Sequence, residues 1–189
     1  TKVKGSPFLD EDFTRGYVVL DKDKNLKTNV IPLRFDTYSN QVQFLKDNKV
    51  FAMDPNKIDE FVLHATDGDL YFKKGYKSDK FEKDVFVRVI SEGNVTLLAH
   101  HTTTLMKGVQ GYGNATQLDE YIDGINFYLA ENGNEFERIK LREKDFRKNL
   151  DRETYDSLKN YADSNNLSFE NEKDLKKIHS HLNKDSQSS

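Results

Sequence analysis

Apolar and polar residues alternate one for one along Gln41-Val42-Gln43-Phe44, so an extended chain puts Val42 and Phe44 on one face and Gln41 and Gln43 on the other. Runs of the same β-branched and aromatic character recur along most of the chain. They are Gly16-Tyr17-Val18-Val19-Leu20, Val30-Ile31-Pro32-Leu33-Arg34-Phe35, Val50-Phe51-Ala52-Met53, Phe61-Val62-Leu63-His64-Ala65, Leu70-Tyr71-Phe72, residues 85–90, Val95-Thr96-Leu97-Leu98-Ala99 running on into Thr102-Thr103-Thr104, residues 125–130 and residues 136–141. Asp67-Gly68 and Asn132-Gly133 each stand between two such runs, where these dipeptides favour tight hairpin turns. Pro32 has no amide hydrogen to give to a ladder and predicts a sheet edge or a bulge. Strand follows strand without an intervening helical period. The pattern predicts a mainly β protein, an antiparallel meander of about seven to nine strands that closes into a barrel or stacks as a sandwich to hide its edges.

Near Lys144 the period changes from two toward 3.6. Asp151 is placed to cap a helix whose Tyr155, Leu158, Tyr161 and Ala162 share one face, ending near Asn165-Asn166. Asn171, with Asp174 three residues on, starts a second helix with Leu175, Ile178 and Leu182 along one stripe. Helices this short depend on docking, so their apolar stripes are expected to pack on the sheet or on a partner. A single domain is expected: an antiparallel β part over residues 1–143, a tail of two short α-helices over 144–183 docked on it, and a disordered end at 184–189.

Composition sharpens this picture. Of 189 residues 35% are apolar and 32% charged, a lean core under a well-hydrated surface, and 13 Phe with 9 Tyr concentrate the apolar area in few large side chains. The 29 basic and 32 acidic residues are interspersed, with a net charge of −3 and no basic stripe, which argues against nucleic acid as a partner. The absence of cysteine excludes disulfides, thiolate metal sites and cysteine nucleophiles. No apolar run approaches the roughly 18 residues of a membrane-spanning helix. Thr1-Lys2-Val3-Lys4 has neither an initiator methionine nor an apolar segment behind it, which fits a chain processed after export.

Candidate chemistry is sparse. Asp21-Lys22-Asp23-Lys24-Asn25 opens like a calcium loop, but Leu26 and Pro32 stand where that loop needs glycine and a bidentate glutamate, so a solvated turn is expected. His100-His101 neighbour each other on a strand and point to opposite faces, and His179 and His181, two apart on a helix, diverge as well. His64 could join one of the first pair across the sheet, yet no metal site is assigned. Gly108-Val109-Gln110-Gly111-Tyr112-Gly113-Asn114 resembles a phosphate-binding loop only superficially, because the strand and helix of a dinucleotide fold are missing around it. No cofactor is expected. Adjacent acid pairs such as Asp59-Glu60 and Asp119-Glu120 do not divide into acid and base, and no nucleophile-elbow spacing occurs, so no catalytic residue is assigned. The long connection over residues 107–124 is instead the expected contact surface, with Tyr112, Tyr121, Gly111 and Gly113 as its candidate contact residues.

Three stretches carry a resemblance. Gly5-Ser6-Pro7-Phe8-Leu9, the run from Pro32 to Phe44, and the tail containing Asn165-Asn166-Leu167 and residues 171–178 together resemble a group of exported Bacteroidota proteins that has no assigned activity. The resemblance implies a signal peptide removed before Thr1 and a periplasmic or cell-surface location, with no catalytic residue to carry over. No N-terminal cysteine is present, which speaks against a lipoprotein anchor. The expected function is a non-catalytic, exported binding or assembly module of the cell envelope that contacts a protein partner. The alternative is a carrier of a small apolar ligand or glycan, and a hydrolase comes third.

Overall fold

The computed structural model describes residues 3–109 and 118–185. Its element order is β1 (Thr14–Asp21), β2 (Leu26–Lys27), β3 (Ile31–Asp36), β4 (Gln41–Lys46), β5 (Lys49–Ala52), β6 (Glu60–Ala65), β7 (Gly68–Lys73), β8 (Val87–Ser91), β9 (Val95–Met106), β10 (Glu120–Glu131), β11 (Glu137–Ile139), α1 (Glu143–Asn149), α2 (Arg152–Ser164) and α3 (Glu172–Asp185). The strands form one antiparallel meander sheet in the order β11-β10-β9-β8-β7-β6-β1-β3-β4-β5, with β2 paired to β1. The sheet ends at β11 and β5 and is not closed, which bears out the antiparallel meander and removes the barrel from the two expected forms. Its eleven strands exceed the expected seven to nine, and the one without a counterpart among the apolar runs is β2, a two-residue ladder that carries almost no sequence signal.

The chain divides into two compact units. The first takes Thr1–Lys74, Asp84–Phe86 and His101–Ile125; the second takes Gly75–Lys83, Val87–His100 and Asn126–Ser189.

The first unit is organised on β1, which pairs with β6 on one side and β3 on the other. Aromatic residues meet in register: Phe61 lies directly across from Phe72, and their rings stack at 4.7 Å and 4°. Phe35 and Phe86 meet Phe61 edge-on at 5.1 Å each. Val18, Leu33, Val42, Ile58 and Leu63 complete this core. Each buried Phe contributes about 2–3 kcal/mol by area, and favourable ring pairs add about 0.5–1.5 kcal/mol. The Asn40 side chain ties residues 84–86 to the unit, donating to the Asp84 carbonyl and accepting the Phe86 amide, each at 3.0 Å. Pro32 sits in an interior strand, which corrects the expected edge. Its ladder partner is Arg15 on β1, whereas the β4 ladder starts only at Leu33, so Pro32 occupies the one part of β3 that β4 leaves uncovered.

Turn chemistry explains the hairpins. Asn132 and Gly133 both have positive φ, 53° and 75°, and the Asn134 amide closes the turn on the Glu131 carbonyl at 3.0 Å. In the β6–β7 hairpin the register pairs Ala65 with Gly68, so Thr66 and Asp67 form the turn and Gly68, at φ 125°, opens β7. The 21–25 segment is the expected solvated turn: Asp21 Oδ1 accepts the amides of Asp23 and Lys24 at 3.1 Å each.

In the second unit, helices and strands share one core. Ile90, Val95, Leu97, Ala99, Leu129 and Ile139 come from β8 to β11; Phe146, Tyr155, Leu158, Ala162, Leu175 and Ile178 come from the three helices. The apolar stripe read along α2 is the buried one. At α3 the cap is reciprocal: Asn171 Oδ1 accepts the Asp174 amide at 2.9 Å and the Asn171 side-chain amide donates to Asp174 at 3.1 Å. Two expectations change here. A third helix, α1, precedes the two expected; its seven residues bury only Phe146, too little for a period to show. The tail does not end at 183, because α3 continues through Asp185; the rest of the 184–189 end lies outside the described residues.

Candidate functional site

The stem of the long connection in the first unit gathers the largest group of exposed apolar side chains. β9 ends at Met106 and β10 begins at Glu120, so the connection proper covers residues 107–119 rather than 107–124. Tyr121 is therefore a strand residue, not a loop residue: the polar and glycine content of residues 119–124 imitates a turn, while the backbone stays extended. Gly111, Tyr112 and Gly113 lie outside the described residues.

Asp119 fastens the two ends of the stem. Its Oδ1 accepts the Gly108 amide and its Oδ2 the Lys107 ammonium, both at 2.9 Å. The Gly108 amide, then the Lys107 charge, hold the Asp119 carboxyl below the usual carboxylate range, and the Lys107 ammonium is raised in return. The N-terminal segment joins from the outside. Lys4 donates its amide to the Asp119 carbonyl, accepts the Tyr121 amide on its own carbonyl, both at 2.9 Å, and places its ammonium 2.8 Å from Glu120.

Strand alternation sorts the side chains. A Cβ on Gly124 would stand 2.8 Å from Thr102 Oγ1, so Thr102 and Gly124 share a face, and Met106 and Ile122 continue it. Opposite lie Tyr121 and Asp123. There Thr37 Oγ1 and Thr103 Oγ1 are 2.6 Å apart, Thr103 donates to Asp123 at 3.0 Å, and Tyr121 meets the exposed Tyr38 edge-on at 5.5 Å. Thirteen large apolar side chains are exposed among the described residues, and Met106, Val109, Leu118, Ile122 and Ile125 account for five of them within twelve described positions. Isolated exposed apolar residues are ordinary; here Met106 and Ile122 share a face, and alternation places Ile125 on the opposite one.

A second cluster, which the sequence reading missed, lies on the outer face of the same unit. The register sets His64 across from Asp69, and Nδ1 donates to Oδ1 at 2.7 Å. Tyr17 lies beside the imidazole at 5.8 Å, with the Lys27 ammonium 5.2 Å from its ring. Burial, then the Asp69 charge, push the Tyr71 hydroxyl up. The signal was available, since a two-residue turn after Ala65 forces His64 to face Asp69.

The other histidines are dispersed. His100 packs against Phe81 and His101 against Phe72, consistent with alternation along β9, while His179 faces Phe146 and His181 stacks on Tyr161. Among the described residues no group of three His, Asp or Glu is placed to hold a metal ion.

In the second unit, residues 75–80 and 133–138 enclose an open cleft of about 790 Å³. Tyr76 and Phe136 meet edge-on in it at 5.7 Å, among the side chains of Lys77, Lys80, Glu135 and Arg138.

No family model matches the chain, and neither a curated protein nor a solved structure shows significant similarity to it.

Proposed function

We propose that this chain is a non-catalytic binding or assembly module, exported to the cell envelope, whose first unit holds a protein partner at the stem of the 107–119 connection. The observation that carries this reading is the exposed pair Met106 and Ile122 on one face of the stem, with exposed Val109 and Leu118 beside its two ends, on a stem that ion pairs and backbone hydrogen bonds hold in place. A prefixed apolar patch loses little freedom when a partner covers it, and paired charges at its border suit a polar rim. Periplasmic or cell-surface placement rests on the resemblance to exported proteins.

The test is crosslinking of the tagged chain in envelopes of its own cells, with the crosslinked positions mapped by mass spectrometry. A stoichiometric protein crosslinked within residues 100–125, and lost in a Met106→Asp/Ile122→Asp variant that unfolds at the unaltered temperature, supports the reading. Crosslinks that survive this variant, or none above background, overturn it.

A second reading, the carrier of a small apolar ligand or glycan, draws on the cleft containing Tyr76 and Phe136. There an aromatic pair lies among hydrogen-bonding side chains, as a sugar ring requires. A rise in thermal stability on adding a glycan, abolished by Phe136→Ala, would favour it.

A further inference from the structure

His179 is fully enclosed on the inner side of α3, between the buried Ile178 and the one-turn-earlier Leu175. The Phe146 ring of α1 lies 5.9 Å away, and neither imidazole nitrogen has a hydrogen-bond partner among the described residues. Buried polar groups are nearly always bonded, so an imidazole with both nitrogens unmatched is a costly feature to keep in a core. The neutral ring can be accommodated as a flat, mostly apolar body. A protonated ring would place a full charge and two unsatisfied donors in the same site.

We propose that α3 is an acid-released clasp: protonation of His179 expels the helix from the core of its unit and uncovers the apolar side chains it packs against. The position of α3 makes release feasible. Among the described residues no strand or helix follows it. Its ties outside the core include the His181 ring, stacked on Tyr161 of α2 at 4.0 Å. Glu172 pairs with Arg88 of β8 at 2.6 and 2.9 Å, and the Asn183 side chain donates to the Glu92 carbonyl at 3.0 Å. What departure exposes is the apolar cluster that Leu175 and Ile178 share with Phe146, Leu158 and Phe169.

No counter-charge waits for the protonated ring. From β8, Arg88 is committed to Glu172, and beyond that strand Glu92 accepts the Tyr76 hydroxyl. From α1, Glu143 accepts Tyr155 and lies 3.5 Å from Lys159, and Asp145 holds Arg142. From α2, Lys159 also pairs with Asp163; from β10, the Glu131 carboxylate is taken by Asp151 and Thr154. On α3 itself Asp174 is engaged by Ser168 and Asn171, and Lys173, Lys176 and Lys177 are exposed. The remaining charges of α1 and α2 are exposed as well.

Burial alone lowers the His179 pKa from 6.5 to about 4. A group with a depressed folded value favours the docked helix fully above 6.5 and loses that contribution as the pH falls toward 4. Over that window the released population rises about tenfold per pH unit, roughly 300-fold in all. His100 on β9, also lowered by burial, titrates in the same direction against Phe81 and must be separated from His179 by experiment.

The experiment is amide hydrogen exchange on the full chain at pH 7.5 and 5.0, with intrinsic rates corrected for pH. The opening equilibrium of α3 is expected to rise about 30-fold at pH 5.0, while amides of β6 and β7 do not change. In His179→Leu the rise disappears; in His100→Gln it persists. A rise that survives His179→Leu, one that spreads evenly over both units, or none at all overturns the proposal. Should the variant fail to fold, proton NMR of the wild-type imidazole decides: a ring that titrates near 6.5 with α3 still protected refutes the clasp, and one that stays neutral while docked at pH 5.0 supports it.

Discussion

Glu131, the last residue of β10, caps the helix that Asp151 begins: its Oε2 accepts the Asp151 backbone amide at 2.8 Å, and its other oxygen accepts the Thr154 hydroxyl. Asp151 occupies the N-cap position, yet its own side chain makes no cap bond. A carboxylate brought from 20 residues earlier therefore serves the N-cap amide and the positive end of the helix dipole. Glu131 is 7% exposed, so these bonds are sheltered from water. Glu131→Ala is expected to cost about 2–3 kcal/mol and Glu131→Gln about 1–2 kcal/mol, whereas Asp151→Ala costs less than about 0.5 kcal/mol. Urea unfolding of the three variants checks the order, and a larger loss from Asp151→Ala would assign the cap to the residue in sequence rather than the one in space.

Gly16 sits in β1 where the chain crosses β6, and a Cβ built on it would stand 2.0 Å from the Val62 carbonyl oxygen. Its requirement is for space, since the obstructing atom is backbone in a central ladder and cannot rotate away. Gly16→Ala is expected to lower stability by about 3 kcal/mol or more by forcing the β1–β6 ladder apart. Gly133→Ala meets nothing within 4 Å and pays only for its φ of 75°, about 1 kcal/mol. Comparing the two urea midpoints separates the effects; equal losses would show that the ladder yields at Gly16.

Much of the fold was legible because its signals are local. Asn132-Gly133 closes its hairpin with the positive φ values the dipeptide favours, and the Asn171–Asp174 spacing delivers the reciprocal cap on α3. The unread parts depend on distant partners. Phe146 alone cannot announce α1, because its helical turn is justified only by the core it enters with Leu158 and Leu175. Tyr121 looked like a loop residue because Asp119, Asp123 and Gly124 mimic turn chemistry. Gly124 is instead small because Thr102 approaches it, a contact no local pattern encodes. At the candidate surface the sequence located the connection but not its exposed apolar stem, since the expected connection took in Ile122, and which strand residues stay uncovered depends on distant elements.

Asp145 bridges the end of the strands to α1. Its Oδ2 accepts the Lys140 amide and its Oδ1 the Arg142 guanidinium, both at 2.8 Å, and the Lys140 amide above all keeps its carboxyl below 3.8. The Ser168 amide does the same for Asp174. A carboxylate depressed in the folded state contributes stability above 3.8 and loses it as the pH falls through its folded value. Asp145→Asn is accordingly expected to flatten the acid limb below about pH 4 and to leave the limb between about 4 and 6.5 unchanged. Urea midpoints taken from pH 2.5 to 7.5 test this, and a change confined to the upper limb would contradict the assignment.

At the β5 end of the sheet, all four strand residues are exposed, including Val50 and a Phe51 whose ring stacks on Phe44 at 5.2 Å. Such an edge offers unpaired amides and carbonyls beside apolar side chains, the combination on which a second strand can add. Lys46 and Lys49 face each other across the turn that leads into it. A strand pairing with β5 would bring its own side chains against these two ammonium groups, and a second copy would bring two more, so like-charge repulsion discourages self-pairing. Lys46→Val/Lys49→Val removes that repulsion and raises the β propensity of the edge without touching a core contact. The double variant is expected to unfold at or above the wild-type temperature and yet to self-associate at concentrations where the wild type does not, as sedimentation velocity would show. Lys148→Val, an equivalent loss of charge on the exposed side of α1, is expected to leave association unchanged; if it promotes association equally, net charge rather than the edge lysines governs the effect.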